Sequence, residues 1–346
     1  MDRARTLSPH RTRRQVLTAA TAAVAALALA ACGATATSGG GAQASGSAAD
    51  AKLTGVRVMV PNTAGGGYDT TARTAVKVME EAGVADGLEV FNLPGAGGTV
   101  GLARLVNEKG NGDLAMMMGL GVVGAAYTNK STSTLADTTP LARLIEESGA
   151  IVVSKDSPYK TIDDLVTAWK ADPGKVTVGG GSSAGGPDHL LPMQLAEAVG
   201  IDPKQVNYIS SDGGGELLPA LLGNKVAFGA SGYTEFIDQI EAGQVRVLAV
   251  TGAQRVPAID APTLKEQGID LEFTNWRGFV APPGIDAAAK ARLLGALDRM
   301  HASAQWKAAI EKNGWTDAYL TGDDFGAFLT EQNTRVSSTL TTLGLA

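Results

Sequence analysis

Between residues 56 and 73 the chain reads Val56-Arg57-Val58-Met59-Val60-Pro61-Asn62-Thr63-Ala64-Gly65-Gly66-Gly67-Tyr68-Asp69-Thr70-Thr71-Ala72-Arg73. An apolar run, Val56–Pro61, is followed by a glycine-rich loop and by an amphipathic segment that extends to about Glu81. This order predicts a buried strand, a tight loop and a helix. The same order is repeated from Leu88–Asn92 to about Asn107. Short apolar strands that alternate with helices predict an α/β fold with parallel sheets.

Further segments continue this alternation of strands and helices. The strand candidates are Leu114–Met118, Ala150–Val153, Lys175–Gly179, Val206–Ile209, Val226–Gly229 and Val245–Val250. The helix candidates are Ile162–Lys170, Asp188–Val199, Glu216–Leu222 and Glu235–Ala242, and the chain from about Asp286 onward is mostly helical. At roughly 150 residues per domain, the 346 residues correspond to two domains.

The composition excludes several classes of function. A single Cys leaves no intramolecular disulfide and no thiolate zinc cluster, and with three His in the whole chain we predict neither a metal site nor a cofactor. A formal charge of −6, with no basic run after residue 14, argues against nucleic acid as a partner. Hydrophobic residues at 44% and charged residues at 18% are typical of a folded globular chain.

The first 31 residues have the pattern of an export signal. Five Arg residues among the first 14 precede an apolar stretch, Val16–Ala31, which is shorter than the ~20 residues that span a membrane. Thr12–Leu17 resembles a twin-arginine signal. Leu29-Ala30-Ala31-Cys32 resembles a bacterial lipobox, in which the Cys is lipidated and becomes the new N-terminus. We therefore expect residues 1–31 to be removed.

Cys32 is then predicted to be a lipid anchor, and residues 32–52, rich in Gly, Ala and Ser, to be a flexible tether. The expected location is extracytoplasmic, on the outer face of the cytoplasmic membrane. Removal of residues 1–31, which carry five Arg and one Asp, would take the formal charge from −6 to about −10.

The glycines concentrate in loops that leave a strand and open a helix, together with hydroxyl side chains. Five such loops are Gly65–Thr70, Gly95–Thr99, Gly179–Gly186, Ser210–Gly215 and Gly229–Gly232. In open α/β sheets, loops of this kind meet at the carboxyl edge of the strands, where ligands bind. Glycine lets the backbone approach a ligand closely, and helix N-termini present unpaired N–H groups. The loops together predict a site for an anion that needs few or no Lys or Arg side chains.

One loop also matches an enzyme motif. Gly181-Ser182-Ser183-Ala184-Gly185 fits G-x-S-x-G after a strand and before a helix, the setting of a hydrolase nucleophile. That fold also needs an acid and then a His further along the chain, and the later His residues are His189 in the same helix and His301 in an amphipathic helix. An exported serine hydrolase that uses Ser183 is the alternative hypothesis, and a structural cell-envelope lipoprotein is a third.

Two other motifs are less specific. Gly95–Gly101 imitates a dinucleotide loop without meeting G-x-G-x-x-G, and no P-loop is present in the sequence. Asp69 and Arg73, four residues apart on the predicted helix, fit either a ligand clamp or a helix-start acid with its salt-bridge partner.

Several motifs, in this order, resemble those of the tripartite tricarboxylate transporter receptors, the TctC/Bug family. They are Pro61-x-x-Ala64-Gly65-Gly66-Gly67-x-Asp69-x-x-Ala72-Arg73, Asn92-Leu93-Pro94-Gly95-Ala96-Gly97-Gly98-Thr99-Val100-Gly101, Ser183-Ala184-Gly185-Gly186-Pro187-Asp188-His189, Pro262-Thr263-Leu264-Lys265-Glu266-Gln267-Gly268 and Asn275-Trp276-Arg277-Gly278. The resemblance covers the chain from about Val56 to its end. Tyr68 departs from it, because many members have Thr or a similar residue there, and this departure bears on ligand choice.

The resemblance implies an α/β, two-lobed periplasmic binding protein-like fold of type II. Each lobe would be a mostly parallel sheet flanked by helices, with the ligand cleft between the lobes. The chain would cross between lobes near Glu147–Ile151 and near Val250–Gly252. We therefore expect one lobe from residues 53–149 plus 251–346, and a second from residues 150–250.

The resemblance also implies a function. The protein would be a monomeric, lipid-anchored receptor without enzymatic activity. It would capture a small carboxylate by cleft closure, a tricarboxylate such as citrate or a dicarboxylate, and deliver it to the membrane permease subunits of a tripartite tricarboxylate transporter. The implied ligand-binding residues are Gly66, Gly67, Tyr68, Asp69, Ala96, Gly97, Gly98, Ser182, Ser183, Ala184, Gly185, His189, Ser211, Gly213 and Ser231.

Overall fold

A computed structural model describes residues 48–211 and 214–346. The described residues belong to one compact unit. The predicted export signal, Cys32 and most of the predicted tether lie outside the described residues. Across the described ranges, no helix combines the length and apolar character needed to cross a membrane.

The described residues contain twelve strands and ten α-helices. The strands are β1 Leu53–Thr54, β2 Arg57–Val60, β3 Ala85–Asp86, β4 Glu89–Asn92, β5 Leu114–Gly119, β6 Thr139–Ser154, β7 Val178–Gly180, β8 Tyr208–Ser210, β9 Phe228–Gly232, β10 Val245–Val250, β11 Thr274–Ala281 and β12 Thr316–Thr321. The helices are α1 Gly67–Glu81, α2 Thr99–Asn107, α3 Leu120–Thr128, α4 Ile162–Ala171, α5 Pro187–Ala198, α6 Gly214–Leu222, α7 Ile237–Glu241, α8 Ala287–Ala302, α9 Ala304–Asn313 and α10 Gly322–Leu343.

One sheet of ten strands organises the fold, in the order β4-β2-β5-β11-β6-β9-β7-β8, with β10 and β12 also paired to β6. The strands β2, β4 and β5 are parallel, and so are β7, β8 and β9. Both parallel groups match the βαβ order expected from the sequence. The pairings of β6 with β9, β10, β11 and β12, and of β11 with β5, are antiparallel. The sheet is therefore mixed, because the long strand β6 runs between the two parallel groups.

The partners of β6 change along its length. Its residues up to Ser148 pair with β11 and β12, whereas Gly149 to Ser154 pair with β9 and β10. We call the strands on the first side (β2, β4, β5, β11, β12) the proximal half of the sheet, and β7 to β10 the distal half. At the change, the Gly149 N–H donates to the Thr251 hydroxyl at 2.8 Å. The lobe boundaries given above remain predictions.

Hydrophobic periodicity explains how the helices dock. In α1 the buried residues include Ala72, Ala75, Val76 and Met79, spaced as one helical face. In α5 every residue from Asp188 to Ala196 is buried, so this helix is enclosed rather than amphipathic. The strands β11 and β12 and the helix α3 have no counterpart among the predicted elements. The two strands form by pairing with β6, and such a long-range contact cannot be recognised from a local sequence pattern.

Candidate functional site

The glycine loops of the two halves come together at one place. A Cβ atom at Gly98 would lie 3.2 Å from Pro61 in the first loop, and one at Gly97 would lie 2.6 Å from Ala125 of α3. A Cβ at Gly124 of α3 would overlap the carbonyl oxygen of Gly185 in the loop after β7. The loops after β2 and β4 therefore pack on α3, and α3 packs on the loop from the distal half.

Asp69 fixes the shape of the first loop. Its carboxylate accepts hydrogen bonds from the Gly65 N–H at 2.9 Å, from Arg73 Nε at 2.9 Å and from Asn92 Nδ2 at 2.9 Å, and only 4% of the residue is exposed. Burial alone would raise the pKa of Asp69, but the bonds from Arg73, Gly65 and Asn92 outweigh it and lower the pKa. The carboxylate is thus engaged in holding the loop, and Arg73 is its salt-bridge partner.

Tyr68 is placed where the first loop meets α3. Its hydroxyl would lie 2.9 Å from a Cβ at Gly119 and 3.0 Å from one at Gly121, so both positions need to be glycine. Burial raises the pKa of Tyr68 to about 12, against the lowering effects of nearby Arg277 and of the backbone at Val122 and Gly121. The phenol is therefore neutral, and it lines the junction of the loops.

The second loop has an unusual backbone. Ala96, Gly97 and Gly98 have φ values of 46°, 63° and 98°, three consecutive residues in the left-handed region. The Ala96 carbonyl accepts hydrogen bonds from Asn129 Nδ2 and Thr99 Oγ1, each at 3.0 Å. Positive φ at a residue other than glycine is strained and is kept where the surroundings impose it, typically at functional sites.

Asp188 and His189 both accept hydrogen bonds from the loop after β7. Asp188 Oδ2 accepts from the Gly181 N–H and from Ser231 Oγ, both at 2.8 Å, and burial raises its pKa to about 6. His189 Nδ1 accepts from the Gly185 N–H at 3.2 Å, and burial lowers its pKa to about 4. His189 also packs edge-on against Tyr208.

His189 borders a cavity. Its side chain lines a cavity of about 380 Å³ that is also bounded by Lys204, Tyr208 and Leu343. Ser183 is exposed, and its hydroxyl makes no hydrogen bond to His189 or to any other described residue. The Ser–His contact that the hydrolase hypothesis requires is thus not formed between these two residues.

The remaining sequence-predicted residues lie as follows. Gly66 and Gly67 are at the start of α1, Ser182 accepts the Tyr208 hydroxyl through its carbonyl at 2.7 Å, and Ala184 is exposed next to buried Gly185. Ser231 is 1% exposed beside Asp188, and the Ser211 N–H donates to the Gly180 carbonyl, extending the pairing of β8 with β7. Gly213 lies outside the described residues. Whether these residues contact a ligand remains a prediction.

Sequence reasoning missed a buried ion pair beneath the first loop. Arg277 of β11 and Glu147 of β6 are 8% and 6% exposed, and Arg277 Nη2 lies 2.9 Å from Glu147 Oε2. A Cβ at Gly67 would lie 2.6 Å from Arg277 Nη2, so the guanidinium occupies the space beside this glycine. Thr234 donates a hydrogen bond to Glu147 from the distal half. The signal in the sequence was a charged residue inside an apolar strand segment, Trp276-Arg277-Gly278-Phe279.

A second cavity, of about 790 Å³, lies between α5, α10 and residues 265–274. None of the sequence-predicted ligand residues lines it. The predicted ligand-binding loops and this cavity are therefore separate features of the molecule.

Comparison with known proteins gives relatives for the whole body of the chain. The chain is 30% identical over 260 residues to a protein from the TAR-I ttuE-ttuC' intergenic region of Agrobacterium vitis, which covers 74% of this chain and 73% of that protein. It is 24% identical to protein BugT of Bordetella pertussis, over 80% of this chain and 85% of BugT.

Solved structures share the fold. A TctC solute-binding protein from Polaromonas superposes with a TM-score of 0.71 at 26% identity, covering 83% of this chain and 98% of that one. MatC from Rhodopseudomonas palustris, solved with malate, has a TM-score of 0.68 at 22% identity, over 83% and 99% of the chains. Rpa4515 from the same organism, solved with adipate, has a TM-score of 0.70 at 21% identity, over 84% and 97%. The expected periplasmic binding protein-like α/β fold is confirmed.

The model of the tripartite tricarboxylate transporter family receptor, TctC, matches residues 72–345. This range includes α1 from Ala72 onward, the second loop, the loop after β7 and the ion pair of Arg277 with Glu147. The resemblance inferred from the loop motifs is thereby confirmed, and the chain belongs to the tripartite tricarboxylate transporter receptor family.

Proposed function

We propose that this protein is an extracytoplasmic receptor that captures a small carboxylate and delivers it to the permease of a tripartite tricarboxylate transporter. The observation that carries the proposal is the meeting of the first two glycine loops and α3 with the loop from the distal half. Glycine stands where these loops meet their neighbours closely, and the first loop leads into the N-terminus of α1, a helix end that favours an anion. Such helix ends bind an anion without a basic patch.

The ligand is a small carboxylate, with tricarboxylates such as citrate and dicarboxylates as the first candidates. The malate and adipate of the two Rhodopseudomonas palustris structures support this class. The protein acts without catalysis and without a metal or cofactor. Cys32 carries the lipid anchor, residues 32–52 form the tether, and the body acts as a monomer.

Capture follows from closure of two lobes. An open form exposes one half-site on each lobe, and a ligand that touches both shifts the population toward the closed form. The contact of Gly124 with Gly185 lies across that closure, so the closed form requires glycine on both sides. The permease distinguishes the closed form from the open one.

A thermal-shift screen of the purified full-length chain against mono-, di- and tricarboxylates tests the proposal. A ligand at 100 times its Kd should add about 2.7 kcal/mol of stability, which is several degrees in Tm. A shift with one or two acids supports the receptor and identifies its ligand class. The serine-hydrolase hypothesis would replace the receptor hypothesis if no acid in the panel shifts Tm and a fluorophosphonate probe labels the protein but not its Ser183→Ala variant.

A further inference from the structure

The cavity between α5, α10 and residues 265–274 has the dimensions of a small-molecule site. Its volume of about 790 Å³ falls within the roughly 300–1,000 Å³ that is usual for ligand pockets. Large apolar side chains form part of its wall, which is also typical of such pockets, and they are Leu120, Leu271, Phe273 and Phe328. The cavity is thus large enough for a ligand that the glycine loops do not touch.

The face of α10 that borders this cavity is polar at positions where a packed helix is normally apolar. The buried residues of α10 are spaced three or four apart, as in an apolar stripe, and they are Phe325, Leu329, Gln332, Val336, Thr339 and Leu340. The two polar members, Gln332 and Thr339, both line the cavity. Packing against a neighbouring helix would favour apolar residues there, so packing does not account for the polarity of this face.

Two glutamine side chains in the cavity wall lack hydrogen-bond partners. Gln332 is 7% exposed, and its amide forms no hydrogen bond with a described residue. Gln194 of α5, on the other side of the cavity, is 5% exposed, and its buried Oε1 has no partner either. Buried amides are nearly always paired, because leaving one unpaired costs its hydration without replacement. The two amides therefore mark a polar wall whose partner has to come from outside the chain.

The charged side chains around the cavity largely neutralise one another. Three ion pairs border it, with N–O distances from 3.0 to 3.7 Å, and they are Arg143 with Glu146, Lys265 with Glu272 and Arg335 with Glu331. Two further acids, Glu197 and Asp270, lie at its exposed edge, where Glu197 is hydrogen-bonded to Thr339. The lining thus offers an anion no unpaired cation, in contrast to the helix end at the loop junction.

We propose that this cavity is a second ligand site, which takes an uncharged molecule rich in hydroxyl groups, such as a monosaccharide or a cyclic polyol. A hydroxyl group both donates and accepts a hydrogen bond, so it matches the N–H₂ and carbonyl groups of an amide such as that of Gln332. The C–H groups of a sugar ring pack against the apolar part of the wall, near Phe273 and Leu271. The site is separate from the carboxylate site proposed above and does not depend on it.

Binding to the purified full-length chain tests the proposal first. Calorimetric titration with ribose, glucose, galactose and myo-inositol should give a saturable isotherm for at least one of them. Hydrogen–deuterium exchange should then show that this molecule slows exchange in α5 and α10 and leaves the loop Gly95–Thr99 unchanged. Absence of saturable binding across the panel would overturn the proposal, and so would protection of the glycine loops in place of α5 and α10.

A variant of the cavity wall tests the role of the amide. Gln332→Leu should weaken binding of that molecule about 10-fold or more, because it removes the hydrogen bonds and keeps a side chain of similar size. It should not lower Tm, since an unpaired buried amide is replaced by an apolar group. The matched control is Gln244→Leu, at an exposed glutamine outside the cavity, which should bind as the parent does.

Equal binding by Gln332→Leu and the parent would overturn the proposal. If Gln332→Leu fails to fold, the exchange pattern of the unmodified chain still decides whether the ligand lies between α5 and α10. Tighter saturable binding of nicotinamide than of any member of the panel would overturn the assignment to a hydroxyl-rich ligand. None of these measurements uses a carboxylate, so the proposed receptor function is tested separately.

Discussion

Replacement of Gly97 offers a test in which the size of the destabilisation follows from two features of the structure. Gly97 has φ of +63°, which costs a residue with a Cβ roughly 1–2 kcal/mol. The new Cβ would also lie 2.6 Å from the Ala125 Cβ, and such overpacking costs about 1–3 kcal/mol. Gly97→Ala should therefore destabilise the second loop by ~2–5 kcal/mol in total. Gly97→Val should cost more, because a β-branched residue fits the left-handed region less well.

A double-mutant cycle separates the two contributions. Ala125→Gly removes the colliding atom at a cost of about 1 kcal/mol for glycine inside α3. Urea unfolding of the single and double variants should show a favourable coupling of about 1–3 kcal/mol, the size of the steric part. A coupling near zero would mean that the two residues do not meet, and the described packing of the second loop on α3 would be wrong.

The same variants report on binding. Gly97→Val should lower affinity for the carboxylate found by the screen far more than Ser183→Ala does, because the Ser183 hydroxyl makes no hydrogen bond to any described residue. Calorimetric titration of the two variants measures this difference in affinity. Normal binding by Gly97→Val would show that the second loop does not form part of the site.

Three further predictions follow from the same contacts. Asp69→Asn should lower the free energy of unfolding in urea by about 2–3 kcal/mol, because it weakens the charge-assisted hydrogen bonds that hold the first loop. The exposed control Asp86→Asn should lower it by less than about 1 kcal/mol. Equal effects of the two variants would contradict the role of Asp69. The pKa of His189 in the folded protein is about 4, below its ordinary value of about 6.5, so on acidification the unfolded chain takes up the proton first. The stability linked to this difference, up to ~3 kcal/mol, is present above pH 6.5 and is lost as the pH falls toward 4. Asp188, with its pKa raised to about 6, has the opposite slope, so His189→Asn and Asp188→Asn should change the pH dependence of unfolding in opposite directions. A chelator should leave ligand affinity unchanged, as no group of metal-ligating side chains is found among the described residues, and a loss of affinity in chelator would refute this.

The local sequence determined the repeating unit of the fold and the position of the glycine loops. Short runs rich in apolar residues near glycine predicted β2, β4, β5 and β10 closely, and the signal is continuous in β5, where every residue is buried. The glycines at 97 and 98 were likewise recognisable, since only glycine tolerates both positive φ and a close neighbour.

The strands β11 and β12 were not predicted, because their register depends on β6, which lies more than 100 residues earlier in the chain. A strand that joins a sheet from so far away is selected by its partner, and its own sequence shows only a short apolar run. The same applies to Arg277, whose role depends on Glu147 being 130 positions away in sequence and 2.9 Å away in space.

The loop after β7 shows which features a sequence motif predicts and which it does not. The sequence marked the region Ser182–His189 as important, and the structure places it at the loop junction. It was the tertiary structure that turned Asp188 toward Ser231 and His189 toward Tyr208, because neighbouring residues on a helix point about 100° apart. The sequence by itself determined the α/β architecture and which loops are rich in backbone N–H groups, since both follow from local chemistry. Only the tertiary structure decided which charged side chains face those loops, since burial of a charge depends on partners brought together by folding.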